Sequence, residues 1–111
     1  MLARGNRMRN SQDFRQTIRS GKRSARPTLV AHVVPGGSGY TSVGFVVSKA
    51  VGPAVVRNRV KRRLRHLMRD RIERLPPGSR LVIRALPESA RHSASSLCRD
   101  LDGALAKCGV L

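Results

Sequence analysis

The sequence predicts an α+β fold, a small sheet with helices packed on it, and three observations carry that prediction. Short runs rich in β-branched residues at 28–34, 41–48 and 80–86 read as strands. Apolar residues spaced by three and four recur along 54–75 and again along 93–107, the period of a helix with one buried face. Strand, long helix and strand follow one another between 41 and 86, a βαβ-like order that allows the last strand to lie parallel to an earlier one. At 111 residues the chain is read as one domain, with room for a modest core but not for two.

Residues 1–10, MLARGNRMRN, are basic and irregular and are expected to form a flexible arm with a turn at Gly5-Asn6. A short helix follows, with Ser11 as N-cap and Asp13 in its first turn. Phe14 and Ile18 share one face, Arg15 and Arg19 take the neighbouring stripe, and Gly21 ends the helix. TLVAHVV (28–34) and TSVGFVVS (41–48), joined through PGGSG, read as an antiparallel hairpin. Leu29, Ala31 and Val33 take one face of the first run and Val30, His32 and Val34 the other, so both faces are candidates for cover.

The long helix is written by Val56, Val60, Leu64, Leu67 or Met68, Ile72 and Leu75, a stripe about twenty residues long. Pro53 suits its first turn and PPG at 76–78 stops it. RLVIRAL (80–86) is the third strand. The last helix runs from Ser93 or Ser95 to Lys107, with Leu97, Leu101 and Leu105 on one face and Gly109 as its stop.

Charge narrows the function. Twenty-three Lys and Arg against six Asp and Glu give a formal charge of +17, and self-repulsion of that size calls for a polyanionic partner. Nucleic acid fits better than a membrane: no apolar run approaches the roughly 20 residues that span a bilayer, and the first residues lack a signal-peptide core. The expected location is the cytoplasm. Cys98 and Cys108 stand ten residues apart in one helix, roughly 15 Å along its axis, too far to bridge. With His32, His66 and His92 they form no zinc spacing.

Six cations crowd the nine residues Arg57 to Arg65, near the N-terminal end of the long helix, where the macrodipole is already positive. Phosphates favour that place through charge, guanidinium forks and free first-turn amides. A solvated basic face is the bland alternative, but Asp70 and Glu73 lie too far along to neutralise residues 57–63. Asn58 is either a surface residue or a partner for a ribose or base edge. Only three aromatics, Phe14, Tyr40 and Phe45, are present, so recognition of backbone and shape is expected over reading of many bases. Phe14 packs either in the core or on an unpaired nucleotide. The scattered carboxylates form no catalytic pair, and Asp100 and Asp102 point apart on a helix, so no catalytic residue is assigned.

GPAVVRNRVKRRLR (52–65) resembles the signature of the bacterial ribonuclease P protein subunit: an alanine, two residues, Arg-Asn-Arg, an aliphatic residue and a basic run. NRMRNSQDF is similar to that family's arm and first helix, and SVGFVVSKAVG to its central strand. The similarity covers roughly residues 6–107. It implies an α-β-β-β-α-β-α order like that of the second domain of ribosomal protein S5, with a left-handed βαβ crossover against the usual handedness. The fourth strand is then sought by splitting 41–48 or within 22–27.

The same resemblance implies a subunit that binds the catalytic RNA of ribonuclease P and the 5′ leader of precursor tRNA. The RNA, with Mg²⁺ held mainly by it, performs the cleavage, with one protein per catalytic RNA. Arg57, Asn58, Arg59, Lys61, Arg62 and Arg65 would contact the catalytic RNA; a cleft with Phe14, Arg15, Ile18, His32 and Lys49 would hold the leader. Ile18 and His32 stand where relatives often carry aromatics, and Ala50 replaces a frequent lysine. No membrane or small-molecule substrate is expected, and no residue is assigned as a metal ligand. The rivals are a ribosomal-type RNA-binding protein, which the signature block disfavours, and a protein-only nuclease, which the scattered carboxylates disfavour.

Overall fold

The computed structural model describes residues 4–37 and 39–111. In chain order these form α1 (Ser11–Ser20), β1 (Lys22–Ala25), β2 (Leu29–Val34), β3 (Ser42–Val46), α2 (Ala54–Arg69), β4 (Arg80–Ala85) and α3 (Ala94–Lys107). Single 3₁₀ turns sit at Arg4–Asn6, Ile72–Arg74 and Pro87–Ala90. The expected α-β-β-β-α-β-α order holds, and the fourth strand lies in the 22–27 stretch.

The expected hairpin between 28–34 and 41–48 does not form. The strand order is β1-β2-β4-β3, so β4 is inserted between β2 and β3. β2 is antiparallel to both β1 and β4, while β3 and β4 run parallel through the α2 crossover. Two loops make room for this insertion by crossing backbone to backbone. Gly37 and Gly78 both have positive φ, 148° and 78°, and a β-carbon on Gly78 would overlap Gly37. Glycine is required at both for conformation as well as space. Ser42 N donates to Ser79 O at 2.9 Å and Gly36 N to Ser79 Oγ at 3.1 Å, which fixes the strand ends where the loops meet.

One sheet face carries Leu29, Ala31, Val33, Val43, Leu81 and Ile83, and packs on the apolar stripes of α2 and α3. Val60, Leu64 and Met68 come from α2, Leu101, Ala104 and Leu105 from α3. Truncating any fully buried leucine here to alanine should cost about 2–5 kcal/mol. The opposite face lies under α1, and across it His32 aligns with Arg23 and Val82, and Val82 with Gly44. Both faces are covered, which explains why the strands lack a polar side.

Local capping departs from expectation by one residue at two helix starts, and α2 ends several residues early. Asn10, not Ser11, caps α1, accepting from Gln12 N at 2.8 Å. Pro53 is the N-cap of α2 instead of a first-turn residue. α2 stops at Arg69, and Leu75 is reached through a 3₁₀ turn, so the helix is shorter than its apolar stripe. Gly21 ends α1 at φ −74°, so its role is spatial: a β-carbon would stand 2.5 Å from Thr17 O and 3.0 Å from Val33 N.

The basic arm, over its described part, lies docked on the sheet; residues 1–3 lie outside the described residues. Met8 is buried and its amide donates to Val43 O at 2.9 Å, while Arg7 bridges Val43 in parallel register. Asn6 Nδ2 donates to Thr41 O at 2.7 Å. The physical reason is that β3 is an edge strand, whose outward amides and carbonyls need partners that the arm supplies. On the far side of the molecule, Asp100 of α3 accepts from Thr28 N and Oγ1 at 3.1 and 2.6 Å, tying the β1–β2 turn to the helix.

Candidate nucleic-acid interface

On α2, burial of Val60, Leu64 and Met68 turns the opposite stripe outward. Asn58, Lys61, Arg62, Arg65, His66 and Arg69, at spacings of three and four, line one shallow concavity. Among the described residues, no ion pair engages residues 57–65; the acidic partners serve Arg69, Arg71, Arg91 and His92 instead. The first turn of α2 holds no acid and its cap makes no side-chain hydrogen bond, so the positive end of the dipole is unopposed.

The remaining cations of the row are turned into the fold. Arg57 Nε donates to Gly52 O at 3.1 Å, bracing the turn into the helix. Arg59 Nη2 donates to Ala90 O at 3.2 Å and Arg63 Nη1 to His92 O at 3.3 Å, so two arginines one turn apart fasten the 87–92 segment to α2. Arg59 Nε is buried without a partner. Of the six residues assigned to catalytic RNA, Asn58, Lys61, Arg62 and Arg65 therefore share one outward face, while Arg57 and Arg59 spend donors on backbone carbonyls.

The five residues assigned to the leader do not converge. Phe14 lies over Gly44, in a groove of about 230 Å³ that it shares with Arg9, Phe45, Lys61 and Arg65. Lys61 and Arg65 line both this groove and the α2 concavity, which makes the two continuous. Arg15 lines a separate hollow on α1 with Gln12, Gln16 and Arg19. Ile18 is half-buried, and Lys49 is exposed in the turn before α2, where its carbonyl accepts from Gly52 N.

His32 is corrected as a leader-facing group: it is 3% exposed, with neither ring nitrogen hydrogen-bonded. Its strand position under α1 hides it, and burial, aided by Arg84 and Arg23, holds its pKa below the usual histidine value, so the ring is neutral. Arg9 is a groove residue that sequence reasoning missed, and Phe45, which packs against the core, also lines the groove. Docking of the arm on β3 puts Arg9 there, and no local pattern announces such docking.

Behind the interface, Arg71 locks α2 to α3. Its Nε and Nη2 meet Asp102 Oδ1 and Oδ2 at 2.6 and 3.0 Å, and Nη1 donates to Leu67 O at 2.7 Å. Its Nη2 also lies 3.1 Å from Cys98 Sγ. Hydrogen bonding to Arg71 holds the Asp102 carboxyl below its ordinary range and raises the guanidinium in return. Both cysteines are free thiols; Cys108 is buried, and its pKa is raised by that burial. Among the described residues no three His, Cys, Asp or Glu side chains gather as a metal site, and no helix is long and apolar enough to cross a membrane.

A small α+β domain that leaves a cationic helix face unneutralised beside an aromatic-lined groove has the build of a basic ribonucleoprotein component. The family profile described as Ribonuclease P matches residues 2–109, and the chain belongs to the ribonuclease P protein family. The chain is 54% identical to the ribonuclease P protein component of Streptomyces avermitilis, over 95% of this chain and 93% of the relative. It is 50% identical to that of Nocardioides sp., over 99% and 97%. Two solved folds are similar. The RNase P protein from Thermotoga maritima has a TM-score of 0.78 at 25% identity, over 91% of this chain and 96% of that one. The Staphylococcus aureus RNase P protein has a TM-score of 0.84 at 21% identity, over 95% and 96%.

Proposed function

We propose that this protein is the non-catalytic subunit of an RNA-catalysed endoribonuclease, binding the catalytic RNA through the outward face of α2 and the 5′ leader of precursor tRNA in the adjoining groove. The observation that carries this reading is the continuity of the two surfaces through Lys61 and Arg65. Asn58, Arg62 and His66 face a folded RNA backbone, and Arg9 and Phe14 face a single strand laid along the groove. Lys61 and Arg65, shared by both, hold the two polyanions side by side and screen their mutual repulsion. Removal of the leader takes place on the RNA, with Mg²⁺ held mainly there. The described residues offer that ion no clustered donors, and the protein's part is to bind, align and neutralise.

In this reading one protein serves one catalytic RNA in the cytoplasm. Precursor is favoured over mature tRNA because only the precursor carries the strand that fills the groove. Reconstitution with the catalytic RNA at low Mg²⁺ tests it. The protein is expected to stimulate 5′ processing and to cleave nothing alone. Absence of stimulation, or cleavage by the protein without RNA, contradicts the assignment.

A further inference from the structure

The groove beside Phe14 continues past the arm. Arg7, Met8 and Arg9 line both that groove and a second hollow, which reaches Asp13 and Ser42. Asp13 and Ser42 in turn border a third hollow of about 280 Å³, walled by Tyr40, Gly37, Gly78 and Arg80. One track therefore runs beside β3, between the docked arm and the start of α1, from the cationic face of α2 to Tyr40. Tyr40 and Gly44, the residue beneath Phe14, are four residues apart on nearly extended chain, so Tyr40 lies roughly 13 Å along the track from that point.

Tyr40 is 80% exposed, whereas Phe14 and Phe45 are partly buried. Its ring stands on a braced support. The backbone of Gly5 lies alongside, where an added β-carbon would touch the ring at 3.7–3.9 Å. The neighbouring Thr41 accepts from Asn6 Nδ2 through its carbonyl and from Gly78 N, at 3.1 Å, through Oγ1. A ring already held in place loses little freedom when something stacks on it. Asp13 and Arg80 both line the hollow, so it offers a phosphate no unopposed cation, and the exposed ring is left to take the uncharged base. Aromatic rings at intervals along a cationic channel are the means by which single strands are held without reading their sequence.

We infer that Tyr40 is a stacking platform for an unpaired base of the precursor tRNA leader, at the end of the track far from α2. This rests on the leader reading above and extends it to leader nucleotides beyond those at Phe14. The occupant is the leader and not the catalytic RNA because the hollow continues the leader groove and is separated from the α2 face by it.

The test uses holoenzyme reconstituted with wild-type, Tyr40→Ala or Tyr40→Phe protein, and precursor tRNAs with a long leader, a leader too short to reach Tyr40, or none. Tyr40→Ala is expected to weaken binding of the long-leader precursor at least about five-fold, the low end for removal of one base stack, and to leave the other two substrates unchanged. Tyr40→Phe should bind like wild type. A 2-aminopurine placed in the far leader should be quenched by wild type and by Tyr40→Phe but not by Tyr40→Ala. If wild type prefers the long leader and Tyr40→Ala binds it equally well, the Tyr40 assignment is wrong. Equal weakening of all three substrates would place Tyr40 on the catalytic RNA and overturn it as well. If wild type itself does not discriminate by leader, the leader reading falls and the Tyr40 assignment with it.

Discussion

The ring of Phe14 rests on the α-carbon of Gly44, so closely that any β-carbon at 44 would overlap it. Gly44 is thus a packing requirement of the groove and not a break in β3. Gly44→Ala is expected to push the ring outward and to lower stability by about 1–3 kcal/mol, the usual cost of overpacking. Urea unfolding measures the stability. Binding of leader-bearing and leaderless tRNA to the reconstituted holoenzyme shows whether the displaced ring also weakens the preference for precursor. A variant as stable as wild type would mean that Phe14 does not sit there.

The split within the basic row gives a sharper prediction. Arg62 and Arg65 lie on the outward face of α2 and make no side-chain bond among the described residues, whereas Arg59 secures Ala90. Arg62→Ala with Arg65→Ala should leave stability within about 0.5 kcal/mol, as for exposed sites. It should flatten the dependence of log affinity for catalytic RNA on log salt by about 0.7–0.9 for each phosphate no longer neutralised. Arg59→Ala should instead cost about 1 kcal/mol of stability, the net worth of a hydrogen bond, before any RNA is added. Thermal melts of the free proteins beside salt titrations of the complexes separate the two classes; identical behaviour of the two would erase the distinction.

The Arg71–Asp102 lock predicts an acid dependence. Because the folded Asp102 carboxyl titrates below its unfolded value, near 3.9, its contribution is fully present above that pH and lost as pH falls through the folded value. Asp102→Asn should therefore lower stability at pH 7 and approach wild type below about pH 4. With the aspartate side chain about half exposed, 47%, the loss at pH 7 is put at about 1–3 kcal/mol, less than for a fully buried pair. Urea midpoints for both proteins from pH 7 to pH 3 give the comparison, and a gap that does not narrow argues against the lock.

Much of this architecture is legible from local chemistry. The stripe Val56, Val60, Leu64 and Met68 marks α2 without any knowledge of its neighbours, although the helix ends at Arg69 and not at Pro76-Pro77-Gly78. What stays hidden is what depends on distant partners. Antiparallel direction for 28–34 and 41–48 is correct, yet their adjacency is not, because β4, some forty residues later, takes the place between them. Arg57, Arg59, Arg62, Arg63 and Arg65 look alike in sequence; the approach of residues 87–92 commits Arg59 and Arg63, and the turn at Gly52 commits Arg57. His32 is legible as a residue of the second sheet face, but the sealing of that face by α1 is not.

His32 supplies the last prediction. Two buried ring nitrogens without partners cost stability that an apolar side chain of similar size avoids, so His32→Leu should be neutral or stabilising by about 1 kcal/mol. Like that of Asp102, its contribution fades with acid, but in a higher pH window. The folded pKa is depressed below the unfolded 6.5, so the unfolded chain takes up the proton first; stability is full above 6.5 and falls as pH drops below it. His32→Leu should remove that decline, so that its advantage over wild type grows between pH 7 and pH 5, a window in which Asp102 remains ionised in the fold. Denaturation midpoints at those two values decide it: an equal difference at both would show that His32 keeps its ordinary pKa in the folded protein.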